Sequence, residues 1–302
     1  MRTRLSLLGI VCLAACEPGV VDQSQLLTTR VLAIRADPPE LVVPSDGGLP
    51  PPVHFTVLAF APNDAGVTVT LALCLSGNPY VVGFPCPGAE GITLENNTLD
   101  VADPAIAALL GSLDGGLPDA GLAAEEPGVV QVAIGYFATN GGTEAGDSEQ
   151  GVYRLSVRFA GNPNHNPELL AVLTPDGGSL EDALLPAGQD IDFTPEIPDG
   201  GPDPGWPSLG VDGGIETYPS LDGGILYESL FYSWYTTVPT VNDFRSREPT
   251  PADPVETPYS QYNGSPPDGG TVTVTFYVVL RDGRGGTDWQ IFDATVAAPP
   301  PP

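Results

Sequence analysis

The stretch Thr271-Val272-Thr273-Val274-Thr275-Phe276-Tyr277-Val278 puts Val272, Val274, Phe276 and Val278 on one side of an extended chain and threonines on the other. Side chains of a strand alternate between two faces, so this pattern predicts a half-buried β-strand. The same period of two recurs upstream. Val53, Phe55, Val57 and Ala59 alternate with His54, Thr56 and Leu58, and Val67, Val69, Leu71 and Leu73 form a second apolar row. Tyr153, Leu155, Val157 and Phe159 alternate with Arg154, Ser156 and Arg158. All these runs are rich in Val, Thr and aromatics and are bounded by Gly, Pro and Asp, as strands between turns are. The one helical signal is short, with Asp103 as N-cap, Pro104 in the first position and Ala105 to Leu113 behind it. The expected class is all-β, with antiparallel sheets that bury their apolar faces against each other as sandwiches.

A weak internal repeat sets the domain plan. Leu32-Ala33-Ile34 recurs as Leu170-Ala171-Val172, and Phe55-Thr56 as Phe193-Thr194, both 138 residues later. The same shift sets the strand at Val152 to Phe159 against Gln290 to Val296, where the last strand is expected. Two similar domains follow, residues 27–161 and 166–298. The segment Gly161-Asn162-Pro163-Asn164-His165-Asn166-Pro167 has linker composition, with 162–165 as the linker itself. Each domain is long enough for its own core and is expected to fold by itself. Residues 16–26 read as a flexible tether and 299–302 as a proline tail.

The N-terminus carries a targeting signal. Arg2 and Arg4 precede an apolar run from Leu5 to Leu13, which ends in Leu13-Ala14-Ala15-Cys16. A basic start, a short apolar centre and small residues before a cleavage point make a secretory signal. With cysteine next, the stretch resembles the lipobox of bacterial lipoproteins, which implies removal of residues 1–15 and acylation of Cys16. Several acyl chains on one residue give stable anchoring, at about 0.8 kcal/mol per buried methylene. Later in the chain no apolar run approaches the roughly 20 residues of a membrane-spanning helix. Glu17, where inner-membrane lipoproteins of the best-known sorting rule carry aspartate, points to the outer membrane.

All ten basic residues are arginine, against 38 acidic residues, and losing Arg2 and Arg4 moves the formal charge from −28 to −30. Such a field repels phosphate backbones, so nucleic acid and anionic headgroups are poor partners. Of four cysteines, Cys12 leaves with the signal and Cys16 takes lipid. Cys74 and Cys86 remain, an even pair in an exported chain, and read as a disulfide. A loop of that size contributes about 3 kcal/mol in the chain-entropy model. His54 and His165 lack ligand spacing to these cysteines, so a zinc site is not expected.

Three stretches carry a further resemblance. Val31-Leu32-Ala33-Ile34-Arg35-Ala36-Asp37-Pro38-Pro39-Glu40, Asn164-His165-Asn166-Pro167-Glu168-Leu169 and the run from Val278 through Arg281-Asp282-Gly283-Arg284-Gly285-Gly286-Thr287-Asp288 to Trp289 resemble uncharacterised surface lipoproteins of myxobacterial type with immunoglobulin-like domains. The resemblance implies two tandem immunoglobulin-like sandwiches after a lipoprotein signal peptide, and brings no established activity. Trp234 then fits the core position of the third-strand tryptophan in such sandwiches, without the usual inter-sheet disulfide.

Asp-Gly-Gly occurs seven times, at Asp46, Asp114, Asp176, Asp199, Asp212, Asp222 and Asp268. Both residue types tolerate the backbone of tight turns, and the motifs lack the regular ligand spacing of a calcium loop. The weak calcium candidates are Asp282, Asp288 and Asp293; no metal or other cofactor is expected. Catalytic signatures are missing too: there is no Gly-x-Ser-x-Gly elbow, no His-Glu-x-x-His and no phosphate-binding loop. The expected function is an outer-membrane lipoprotein acting as a structural or adhesive module, bound to the membrane through its lipid and to envelope protein or polysaccharide. The alternative is a carbohydrate-binding module using exposed tryptophans among Trp206, Trp234 and Trp289.

Overall fold

The computed structural model describes residues 23–62, 65–74, 91–113, 128–159, 163–198, 215–220, 223–238, 241–250, 258–264 and 270–297. Cys16, Cys86, Trp206 and the proline tail 299–302 lie outside the described residues.

The first half runs β1 (Arg30–Asp37), β2 (Glu40–Val42), β3 (Val53–Phe60), β4 (Thr68–Cys74), β5 (Gly91–Thr93), β6 (Thr98–Leu99), α1 (Pro104–Leu113), β7 (Val129–Thr139) and β8 (Ser148–Arg158). One sheet has the order β1-β3-β6 and the other β2-β8-β7-β4-β5. The prolines at 38 and 39 cannot donate to a ladder, and the chain leaves one sheet there to enter the other as β2, parallel to β8. Asp103 caps α1 as expected, accepting the Ala105 N–H at 2.8 Å, and Ile106 drops into the core.

The second half repeats the plan with β9 (Ala171–Leu173), β10 (Leu184–Pro186), β11 (Ile191–Glu196), β12 (Thr217–Pro219), β13 (Ile225–Tyr227), β14 (Phe231–Thr236), β15 (Arg245–Arg247), β16 (Ser260–Tyr262), β17 (Thr271–Arg281) and β18 (Thr287–Ala297). Its sheets are β16-β11-β9 and β10-β18-β17-β14-β15, with β12 and β13 as a separate hairpin. Strand for strand this matches the first half, including the parallel pair β10 and β18. Phe55 on β3 and Phe193 on β11 occupy equivalent core strands, as do Ile34 on β1 and Val172 on β9, so the repeat marks structurally equivalent positions. A three-stranded sheet facing a larger one, joined by strands that change sheets, is the immunoglobulin-like sandwich.

Each sandwich has its own core. The first is mostly aliphatic, built on Leu41, Leu71, Leu73, Leu99, Ile134, Leu155 and Val157. The second holds Phe193, Tyr232, Trp234, Tyr262 and Phe276. A third apolar cluster joins the halves: Leu26, Leu32, Ala33 and Leu58 meet Val279, with Phe60, Tyr235, Tyr277 and Trp289 around them. The outer face of β1 and β3 thus lies on the outer face of β14, β17 and β18. Burying side chains of this size contributes about 1.5–3 kcal/mol each.

This contact explains three departures from the sequence reading. Leu58 alternates to the side expected to face water, yet is buried, because the second half covers that side. Leu155 and Val157 are buried as expected, but Ser156 and Arg158 on the other face are buried too and Phe159 is exposed, because the β17–β18 hairpin packs over the end of β8. Part of the expected tether is also docked. Gln25 bridges to Thr236 in parallel, the Leu26 N–H donates to the Thr236 carbonyl at 3.0 Å, and the Thr236 N–H donates to the Ser24 carbonyl at 2.9 Å.

Candidate functional site: the polar joint between the sandwiches

The glycine-rich hairpin after β17 is organised by one carboxylate. Asp282 Oδ1 accepts N–H bonds from Arg284, Gly285 and Gly286 at 2.7–2.9 Å. The backbone needed for this is left-handed at Gly283 and Gly285, with φ of 77° and 117°. A Cβ on Gly286 would strike the Asp282 carboxylate and the His165 carbonyl. The sequence Asp-Gly-Arg-Gly-Gly is therefore what this turn requires against its neighbours.

From Asp282 a chain of polar contacts runs into the first half. Asn164 Nδ2 donates to Asp282 Oδ2 at 2.7 Å, and the Asn164 backbone N–H donates to Glu40 Oε1. Glu40 Oε1 in turn accepts the Arg158 Nε–H at 2.6 Å, with both side chains 1% exposed. Tyr153 and Ser156 donate hydroxyl bonds to the carbonyls of Gly285 and Arg284. On the other side Arg284 reaches Glu228 at 2.7 Å and Glu216 at 3.6 Å and stands over the Tyr218 ring. His165 Nδ1 meets Glu216 Oε1 at 2.7 Å. Alongside, Arg35 pairs with Asp288 at 2.7 Å, Asn166 Nδ2 donates to the Ala36 carbonyl, and the Thr287 N–H donates to Asn166 Oδ1.

Burial dominates the electrostatics. Glu228 sits beside Arg284, yet its carboxyl is pushed up to about 8, because loss of water and the nearby Asp282 charge outweigh the guanidinium. Burial also raises the Asp282 and Glu216 carboxyls above their usual range. Breaking a buried pair such as Glu40 and Arg158 costs far more than the pair contributes over an apolar replacement; here it ties β2 to β8 within the first half, and Glu40 also accepts the Asn164 N–H that leads to Asp282.

The expected linker and the three weak calcium candidates have these places in the structure. Asn164, in the expected 162–165 linker, is buried and bonded to both halves. The three weak calcium candidates serve separate duties: Asp282 holds its turn, Asp288 takes Arg35 and the Leu169 N–H, and Asp293 takes the Thr275 hydroxyl. Among the described residues no group of three or more His, Cys, Asp or Glu is arranged to hold a metal. Where described, the Asp-Gly-Gly motifs are turns: Gly48 donates to Asp46 Oδ1, and Gly178 to Asp176 Oδ1. Cys74 ends β4.

The tryptophans do not form an exposed platform. Trp234 is buried, stacked on Phe193 at 6.5 Å, with its Nε1 donating to Ser246 Oγ at 2.8 Å. Trp289 is partly buried in the apolar contact between the halves. The exposed large aromatics among the described residues, Phe137, Phe159 and Tyr259, lie on separate elements. Missing from the sequence reading were Glu40, Arg158, Glu216 and Glu228. The stretches 31–40, 164–169 and 278–289 meet here.

No protein-family model and no curated protein sequence matches the chain. Solved structures with an overall likeness include the tandem Ig repeats of Dlar, at 10% identity over 90% of this chain and 99% of that one, with a TM-score of 0.25. The D00-D0 domain of Intimin aligns at 7% identity over 87% and 96%, TM-score 0.22. The C-terminal domain of the Streptococcus agalactiae AgI/II polypeptide BspA aligns at 11% identity over 89% and 81%, TM-score 0.22. Scores this low carry no argument, and the fold assignment rests on the strand order.

Proposed function

We propose that this chain is an envelope lipoprotein whose two immunoglobulin-like sandwiches work as one structural or adhesive unit, held at the outer membrane by lipid on Cys16 and without a catalytic role. The joint carries this reading: an apolar sheet-to-sheet contact and a buried polar chain fix the sandwiches to each other, as a load-bearing spacer needs. Its partners are envelope protein or polysaccharide, met by strand edges and end loops, and not nucleic acid. A Cys74–Cys86 bridge belongs to the same reading; intact mass of envelope-derived protein should rise by two hydrogens on reduction, and two free thiols at the outset would remove it. The carbohydrate alternative has no exposed aromatic cluster in its favour among the described residues.

The test is genetic. A strain lacking the chain should lose surface attachment or envelope integrity, the wild-type gene should restore it, and Cys16→Ser should not, while shifting the protein out of the membrane fraction. Full rescue by Cys16→Ser, or no phenotype in either assay, sinks the proposal.

A further inference from the structure

The hairpin β12–β13 stands apart from both sheets of the second sandwich. Thr217 pairs with Tyr227 and Pro219 with Ile225, and among the described residues the two strands join no larger sheet. A two-stranded hairpin is marginal in water unless something holds it. At its base Ile215 and Leu230 are buried in the core and Tyr227 packs against them, whereas Ile225 near the tip is exposed. Its link to the joint is Arg284, which stands over the Tyr218 ring and reaches Glu228 and Glu216.

The charges at this link do not balance. Three carboxylates, Glu216, Glu228 and Asp282, face the one Arg284 guanidinium, and among the described residues the further group there that can turn positive is His165, exposed beside Glu216. Asp282 accepts N–H bonds on both oxygens, from Arg284, Gly285 and Gly286 on one and from Gly286 and Asn164 on the other, which favours its ionised form. Glu216 has His165 as a second partner. Glu228 is 2% exposed, accepts the Glu216 N–H at 3.2 Å and the Arg284 guanidinium at 2.7 Å, and faces the other two carboxylates. It is therefore the member that keeps a proton, in line with a carboxyl pushed up to about 8. If the hairpin lifts, Glu228 regains water and its ordinary acidity, so ionisation favours the lifted form.

We propose that β12–β13 is a proton-held latch on the joint: protonated Glu228 keeps the hairpin closed against the β17–β18 turn, and loss of that proton releases it. The halves stay joined in the released form, because the bonds of Tyr153, Ser156 and Asn164 to the turn and the apolar contact of Leu32 and Leu58 with Val279 do not pass through the hairpin. The closed form holds its proton to about 8 and the open form to 4.5, so the open share rises with pH between these values and levels off above them.

The test is hydrogen exchange of the full chain read by mass spectrometry, with wild type and Glu228→Gln compared at the same pH so that intrinsic exchange rates cancel. Relative to Glu228→Gln, the wild-type segment 215–228 should lose protection by about tenfold or more between about pH 5.5 and about pH 7.5, while 153–158 of β8 stays equally protected in both proteins. The same ratio at both pH values overturns the latch. So does a loss of equal size in 153–158, which means that the whole joint opens. Glu216→Gln leaves Glu228 in place and removes a like charge beside it, so it should shrink the wild-type effect, and it decides the matter if Glu228→Gln does not fold. An undiminished effect in Glu216→Gln overturns the charge imbalance on which the latch depends.

Discussion

Around Trp234 in the second sandwich lie Phe193 and Tyr232, with Tyr262 and Phe276 meeting edge to face at 5.0 Å. In the first sandwich the corresponding space is filled by Leu71, Leu73, Ile134 and Leu155, and the aromatic contact is Phe55 with Tyr153 at 6.0 Å. The strand order is the same. Two cores of different chemistry thus support one topology, which is set by alternation and turn placement, while the filling needs the right volume. The aromatic core adds ring geometry and hydrogen bonds for its polar handles, such as Tyr262 Oη to the Val238 carbonyl at 2.9 Å.

The comparison is most directly broken at the centres of the two cores. Trp234→Ala should lose about 3–5 kcal/mol and Leu155→Ala about 2–5, read from urea midpoints. The tryptophan should be the costlier because its side chain is the larger and Ser246 Oγ also loses the indole donor, keeping only its bond to the Pro258 carbonyl; the opposite ranking would show that the aromatic core is the looser one. Arg158→Ala should cost about 3–5 kcal/mol by stranding Glu40, whereas Arg158→Met with Glu40→Leu should recover most of that loss. Next comes the coupling of the halves. The intact chain should melt in one transition, and Val279→Asp, which loses about 1.5–3 kcal/mol of burial, should split it in two by calorimetry. A wild-type chain already melting in two steps would show that the joint is too weak to couple them.

The last test reads the slope of stability with pH. Glu228 holds its proton to about 8 in the folded protein against 4.5 in the unfolded chain. Between these values the folded state binds more protons than the unfolded one. The contribution is therefore fully present below 4.5 and lost as pH rises through about 8, at no more than about 1.4 kcal/mol per pH unit. Denaturant titrations should show this decline, and Glu228→Gln should flatten it. A stability that climbs across the same window would contradict the assignment.

What was legible in the sequence is what each sandwich does within itself. The row Val272, Val274, Phe276, Val278 reads correctly because it faces a core made by its own sheets, and the Asp103 cap reads correctly because its partner is two residues away. The joint was not legible as a joint. Arg158 has the same local pattern as a solvent-facing strand residue, and only Glu40, 118 residues earlier, makes its burial tolerable. Asp282 stood out for its glycine-rich surroundings, but an aspartate that needs several donors looks, in sequence, like one that offers oxygens to a cation. Asn164 shows the same ambiguity: Asn and Pro mark an exposed turn and a buried crossing equally well. The stretches around Glu40, Asn164 and Asp282 are in mutual contact, and nothing in their separate local patterns says so.

The docking of Ser24 to Leu26 has a consequence for how the molecule is made. Ser24 Oγ accepts the Val241 N–H across 217 residues. These early residues thus obtain their partners late in synthesis, and a contact of such sequence separation forms slowly. Until the second sandwich has folded, Leu26 and the outer face of β1 have nothing to cover them. A chain cut short before Thr236 would keep that apolar surface exposed for proteases and chaperones to recognise. Closure of the first residues onto the last domain thereby reports that a complete molecule has arrived.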